Sequence, residues 1–344
     1  MRYLPWREAY MLALGALVAS TSIAAAEPST CDPYGDAPAA FHSSPKPQCL
    51  GGTLLGPWQD RDDHDRYACL YEPALASTVK PLPLVVYIHP SLVTADSLWE
   101  VTNILEYQNI ANVSDDPGRP GFIVVAPEGR DTNHDYPDPD ASGPGWDNWD
   151  RHTDPDDPVE TVDVATIDHF IAEEVASGKV DARRIYVTGW SNGAAMSILY
   201  GLNRSNVAAI APYSAPDPFA AFNDPCKQTP VARTAANAGE IRISNPEAPI
   251  YHVHNDCDIA GICPNGERLA SRLLAAGVSF QDTIVDSLML PANGCFAPCG
   301  TNPDADYDTS ANPLGITLGT ANHVRWPLIW TLPMLDFFRV HPLK

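Results

Sequence analysis

Ser191 stands in Gly189-Trp190-Ser191-Asn192-Gly193, directly after Ile185, Tyr186 and Val187 and directly before Ala194, Ala195, Met196, Ile198 and Leu199. The first run is β-branched and aromatic and predicts a short buried strand, whereas the second predicts the start of a helix. A G-x-S-x-G at a strand-to-helix turn is the setting that presents a serine hydroxyl as a nucleophile on a sharp elbow. The two glycines fit because such a tight turn brings backbone to where their Cβ atoms would be. With 22 glycines in the chain the five-residue pattern can arise by chance, so the flanking strand and helix are what give it weight.

A serine hydroxyl is a weak nucleophile and needs a base within hydrogen-bond reach, itself oriented by a carboxylate. In the chain order that goes with this elbow, acid and then histidine follow the serine. The later histidines are His252, His254, His323 and His341. His252 and His254 alternate along a strand, so at least one faces packed sheet, and His341 sits at the tail. His323, in the loop "GTANHVRWP" before the last helix, is the expected base, against the plainer reading of a hydrogen-bonded loop histidine. The acid should leave the end of the strand at 249–254, where Asp256 and Asp258 both stand; either residue also suits turn stabilisation. An oxyanion hole needs backbone N–H donors: one from Asn192, after the nucleophile, and one from the loop after the strand ending at His89. Pro90 has no N–H, which points to Ser91 or a close neighbour.

The elements that must position these groups are legible as alternation. "PLPLVVYIHP" (81–90) and "GFIVVAPEG" (121–129) are continuous apolar runs of the kind found in parallel sheets buried on both faces. Residues 131–160, dense in Asp, Pro and Gly, predict a long loop. Apolar residues at 164, 167, 171 and 175 predict a helix over 162–180, stopped near Gly178. Further strands are expected at 185–188, 207–215, 248–258 and 278–286, helices at 266–276 and 328–339, and a Cys-, Asn- and Pro-rich insertion at 290–315. The alternation implies an α/β protein with a mostly parallel central sheet and helices on both faces. With no internal repeat or low-complexity linker, residues 27–344 are expected to form a single catalytic domain, with 27–50 an extended N-terminal segment.

Residues 1–26 carry Arg2 and Arg7, then an apolar run that ends in Ala24-Ala25-Ala26, and predict a secretory signal peptide and a secreted protein. All eight cysteines lie beyond it, and an even count in an exported chain favours disulfides, four as a first guess, over metal ligation. The formal charge of −22, with only five lysines, argues against nucleic acid and membrane as partners. A monomer acting on an ester substrate, with no cofactor and no metal, is expected. Asp131, Asn133, Asp135, Asp138 and Asp140 fall short of a calcium loop, because Tyr136 and Ser142 occupy the positions that need Gly and Glu. Asn112-Val113-Ser114 and Asn203-Arg204-Ser205 are acceptor sequons.

The segments "PLVVYIHPS", "GFIVVAPEG", "GWDNW", "RIYVTGWSNGAAM", "PIYHVHNDCD" and "NHVRWP" together resemble the secreted α/β-hydrolase esterases of the polyhydroxybutyrate depolymerase and feruloyl esterase type. The resemblance runs from about 81 to 340 and implies the α/β-hydrolase fold and a Ser-His-Asp triad that forms an acyl-enzyme. The family's spacing of a histidine, three residues and an aspartate falls on His254 and Asp258, which selects Asp258 over Asp256; its histidine before Trp-Pro falls on His323. The chain departs from the pattern at Pro90, where glycine is usual, and at Ala194, also a glycine in the family. Trp190 and Asn322 stand where tannase-like members carry cysteines, and the polymer-binding domain of many depolymerases is not expected.

"GPGWDNWDRH" (143–152) offers Trp146 and Trp149 as rigid apolar faces for an aromatic acyl group or a polyester chain, the competing reading being that they cap the core. Trp190 and Trp326, beside the expected nucleophile and base, are candidates for the same wall. The reading is a serine carboxylesterase. Acyl transfer to an alcohol by the same triad, and a non-catalytic binder on a hydrolase scaffold, are its rivals.

Overall fold

A computed structural model describes residues 44–61, 63–132, 143–146, 162–216, 218, 243–255, 265–285 and 323–344. The expected signal peptide, Asp256, Asp258, Trp149, most of the acidic loop and the 290–315 insertion therefore lie outside the described residues.

Eight strands form one mixed sheet in the order β1-β2-β4-β3-β7-β8-β9-β10. They are β1 Thr53–Gln59, β2 Asp65–Tyr71, β3 Leu82–Ile88, β4 Ile123–Pro127, β7 Val180–Trp190, β8 Val207–Tyr213, β9 Ile250–Asn255 and β10 Phe280–Val285. β1 and β2 are antiparallel to each other and β2 is antiparallel to β4, while β4, β3, β7, β8, β9 and β10 run parallel. The short pair β5 Arg130–Thr132 and β6 Gly143–Gly145 forms a separate antiparallel ribbon. The ribbon falls in the two described pieces of the segment read as a loop, at 131–132 and 143–146.

Parallel strands buried on both faces need apolar residues at every position, and β3 and β4 are buried throughout. Leu84, Val86 and Ile88 join one core layer with Ile123 and Val125, whereas Val85 and Tyr87 join the other with Val124 and Ala126. The first layer is covered by α3 Val162–Ala176 and α4 Asn192–Gly201 through Ile167, Phe170, Met196 and Ile198, and by α5 Asn265–Ala275 through Leu269 and Leu273. The second is covered by α1 Ser97–Val101, α2 Ile104–Tyr107 and α6 Thr331–Arg339 through Leu98, Ile104, Met334, Leu335 and Phe338. Helices thus lie on both faces, and α3 stops just before Gly178, at φ +75.

Two features escape the sequence reading. β7 begins at Val180 rather than 185: Asp181, Arg183 and Arg184 mask the strand in the sequence, yet buried Val180 already pairs with Leu82. The β1-β2 hairpin is hidden by Gly56-Pro57 and by Arg66, a charge in a strand. Arg66 is wholly buried and answered by Asp60 at 3.1 Å and Asp163 at 2.8 Å, which satisfies the rule that buried charges are paired. One disulfide, Cys49–Cys69, ties the N-terminal segment to β2. The other six cysteines lie outside the described residues.

Candidate active site

β7 is central, and its C-terminal end delivers Ser191 between the ends of β3 and β8. Ser191 has φ 56 and ψ −122, a region non-glycine residues rarely enter, which costs on the order of 1–3 kcal/mol and lifts the side chain out of the strand-to-helix corner. The corner closes because Gly189 and Gly193 have no Cβ. One on Gly193 would strike the carbonyls of Ile88 and His89, and one on Gly189 would strike the Gly193 carbonyl. Ala194, at the family's glycine position, is tolerated in the core under α4.

His323, 132 residues further on, places Nε2 2.7 Å from Ser191 Oγ. Its Nδ1 lies 2.7 Å from Ser214 Oγ. With Nε2 accepting from the Ser191 hydroxyl, Nδ1 carries the ring proton. Ser214 sits one residue past β8 at φ 56, its N–H donating to Val253 O at 2.8 Å. The sequence reading missed it, although a serine at the end of the strand beside the elbow was the available signal. Between the two catalytic candidates, Trp190 Nε1 donates to the His323 carbonyl at 2.8 Å. The residue before the elbow serine thereby holds the backbone of the histidine.

Asn192 begins α4, and its side chain does not point at solvent. Trp146 N–H donates to Asn192 Oδ1 at 2.8 Å, and Asn192 Nδ2 donates to Trp146 O at 3.2 Å. Ser91 follows Pro90 in the loop after β3. Leu92 N–H is engaged by Pro144 O at 2.8 Å, whereas Ser91 N–H has no partner among the described residues.

The tryptophans are buried. Trp146, Trp190 and Trp326 are only 2 %, 5 % and 5 % exposed, which favours the reading that they cap the core. Their N–H groups are engaged with His89 O, His323 O and Thr331 Oγ1 at 2.9, 2.8 and 2.8 Å. Rings this large fill core volume, and a buried indole N–H must find a partner. Among the described residues, Leu92 and Val324, the sequence neighbours of Ser91 and His323, are exposed apolar side chains.

Beneath the Ser91 loop lies a buried polar layer. His89 Nε2 accepts from Gly129 N–H at 2.8 Å, and its Nδ1 donates to Pro90 O at 2.8 Å. Burial holds this imidazole neutral, its pKa pulled down to about 4. Glu128 Oε2 accepts from Ala95 N–H at 2.7 Å, and its Oε1 lies 3.4 Å from His89 Nε2. Burial pushes the Glu128 carboxyl well above its usual range.

Among the described residues, His252, His254 and Asp282 are the set whose ligand atoms could converge on a cation, all within 4.8 Å of one another. The histidines share a face of β9, and Asp282 pairs with His252 in β10. Ala215 N–H donates to His252 Nε2 at 3.2 Å, so His252 Nδ1 bears the proton and donates to Asp282 at 2.9 Å. That tautomer leaves His252 no lone pair for a metal, and the two rings act as donors that hold the Asp282 carboxylate well below its usual range despite its partial burial. No described helix is long and apolar enough to cross a membrane.

No family model matches the chain, and no curated protein matches it. Among solved structures it is similar to a thermostable esterase at 16% identity and TM-score 0.42, over 70% of this chain and 56% of that one. It is also similar to the propionate-bound esterase Est2 of Thermogutta terrifontis, at 14% and 0.47 over 86% and 95%. A third likeness is dipeptidyl peptidase 4 of Porphyromonas gingivalis, at 15% and 0.40 over 73% and 34%. The chain thus spans little more than half of the thermostable esterase. With every score below 0.5, these likenesses carry no argument about its chemistry.

Proposed function

We propose that the chain is a secreted serine hydrolase of the α/β-hydrolase fold that cleaves carboxylic esters. The observation that carries the reading is the 2.7 Å approach of His323 Nε2 to the hydroxyl of Ser191, a residue held at φ 56 on a strand-to-helix corner. In this reading Ser191 Oγ attacks the ester carbonyl carbon while His323 Nε2 takes its proton. The N–H groups of Asn192 and Ser91 meet the negative charge that forms on the carbonyl oxygen. The C–O bond to the alcohol then breaks as the imidazolium returns a proton to the leaving oxygen. A water molecule, activated by the same histidine, releases the acid from the acyl-enzyme and regenerates Ser191.

Asp258 is the proposed orienting acid, on the family spacing from His254, with Ser214 a second group at Nδ1. The resemblance extends the proposal to polyester or feruloyl esters. Leu92 and Val324, rather than the tryptophans, are the apolar surface such an acyl group would meet.

The test is labelling by a fluorophosphonate, with peptide mapping, beside kinetics on nitrophenyl esters, methyl ferulate and polyhydroxybutyrate. Label on Ser191, and a loss on the order of 10⁴-fold or more in Ser191→Ala, are expected. Activity within tenfold of wild type in that variant refutes the reading. In the same assays Asp258→Asn should lose far more than Asp256→Asn, and the reverse ranking moves the acid.

A further inference from the structure

We propose that Trp146 is the positioning residue that ties the two halves of the oxyanion hole together. The inference rests on the reading of Ser191 as nucleophile and of Asn192 and Ser91 as N–H donors. Those donors belong to separate pieces of chain, the N-terminus of α4 and the loop after β3. An oxyanion gains from both only if each stands about 2.7–3.1 Å from the same point, so something must fix one piece against the other.

Trp146 reaches both. Its backbone N–H and carbonyl clasp the side-chain amide of Asn192, at 2.8 and 3.2 Å. Its indole N–H donates at 2.9 Å to the carbonyl of His89, the last residue before Pro90-Ser91. The ring packs on the His89 imidazole, centroids 5.0 Å apart. Two residues before it, Pro144 O takes the N–H of Leu92, just past Ser91. The segment 144–146 is thus bonded to residues on both sides of Ser91 and to the residue that supplies the other donor. A tryptophan that merely filled the core would need one partner for its indole. It would not need both backbone groups on the amide of Asn192.

His89 stiffens the far end. It is neutral, and each ring nitrogen is bonded to backbone, to Gly129 N–H and Pro90 O. The loop that carries Ser91 therefore rests on a strut whose own protons are fixed.

Trp146→Phe keeps an aromatic ring against the His89 imidazole and both backbone bonds to Asn192, and removes the indole hydrogen bond to the His89 carbonyl. The assay is steady-state hydrolysis of nitrophenyl acetate, with active sites counted by fluorophosphonate titration. The expected result is a kcat per titrated site lowered about 10- to 100-fold with KM within about threefold, because the N–H donors that Trp146 positions act on the charge that develops only in the transition state. A merely structural role would lower the number of sites and leave kcat per site unchanged. Asn192→Ala cuts the other half of the link while keeping its backbone N–H, is expected to show the same split, and decides the matter if Trp146→Phe does not fold. A kcat per site within twofold of wild type in the folded variants overturns the inference alone. Absence of label on Ser191 in the wild type overturns the proposed function and this inference with it.

Discussion

Replacing Glu128 with Gln should make the protein more stable, and increasingly so as pH rises. Glu128 is wholly buried, with Ala95 N–H on Oε2 at 2.7 Å and, among the described residues, no hydrogen-bond partner for Oε1. Burial is the largest influence on its carboxyl and raises it; Asp96 adds to the rise, while the Ala95 N–H and Arg66 oppose it. A carboxyl whose folded value lies above its unfolded value contributes stability that is fully present below the unfolded value. That stability is lost as pH climbs toward the folded value, since the native state keeps a proton the unfolded chain has released. One proton of difference is worth about 1.4 kcal/mol per pH unit of that window. Gln keeps an acceptor for Ala95 and cannot ionise, so its advantage over wild type should grow by about that amount per unit from pH 5 toward the folded value. His89, pulled by burial from 6.5 to about 4, acts in the opposite sense: its contribution is present above 6.5 and lost as pH falls toward 4. It acts in both proteins, so only the part that depends on the 3.4 Å approach of Glu128 Oε1 to His89 Nε2 enters the difference. Urea unfolding of both proteins at pH 5, 6, 7 and 8 reads the difference. A gap that stays flat to within about 0.5 kcal/mol would show Glu128 to be ionised in the fold and would refute the reasoning.

Trp190→Phe removes the 2.8 Å bond to the His323 carbonyl while keeping an aromatic ring against Tyr213 and Trp326. A bond of this kind is worth about 1 kcal/mol and a loosened base costs more in rate, so kcat should fall roughly 5- to 50-fold at unchanged KM; a change under twofold rejects the clamp. Serine at both Cys49 and Cys69 opens a crosslink between residues 20 apart, which the loop-entropy account values at about 3 kcal/mol. Calorimetry should show a clear drop in Tm, and a shift under about 2 °C means that the segment is held by packing instead.

What could be read along the chain is what neighbours in sequence encode. The elbow is a five-residue steric pattern between a strand and a helix, and the buried strands β3 and β4 are unbroken apolar runs; both are local and both are legible. The same locality hides β1 and β2, whose Gly56-Pro57 and Arg66 speak against a strand until Asp60 and Asp163 are folded over the guanidinium. Composition marks Trp146, Trp190 and Trp326 as large apolar faces near the chemistry, yet whether a face meets ligand or core depends on which elements dock on it. Docking turned all three inward and set their N–H groups on the carbonyls of His89 and His323 and the hydroxyl of Thr331. Ser214 on His323 Nδ1 is likewise a meeting of residues 109 apart. Hydrogen bonds act over about 3 Å, whereas spacing along the chain constrains only the residues of one element, so contacts between elements are decided by how the sheet and its helices pack.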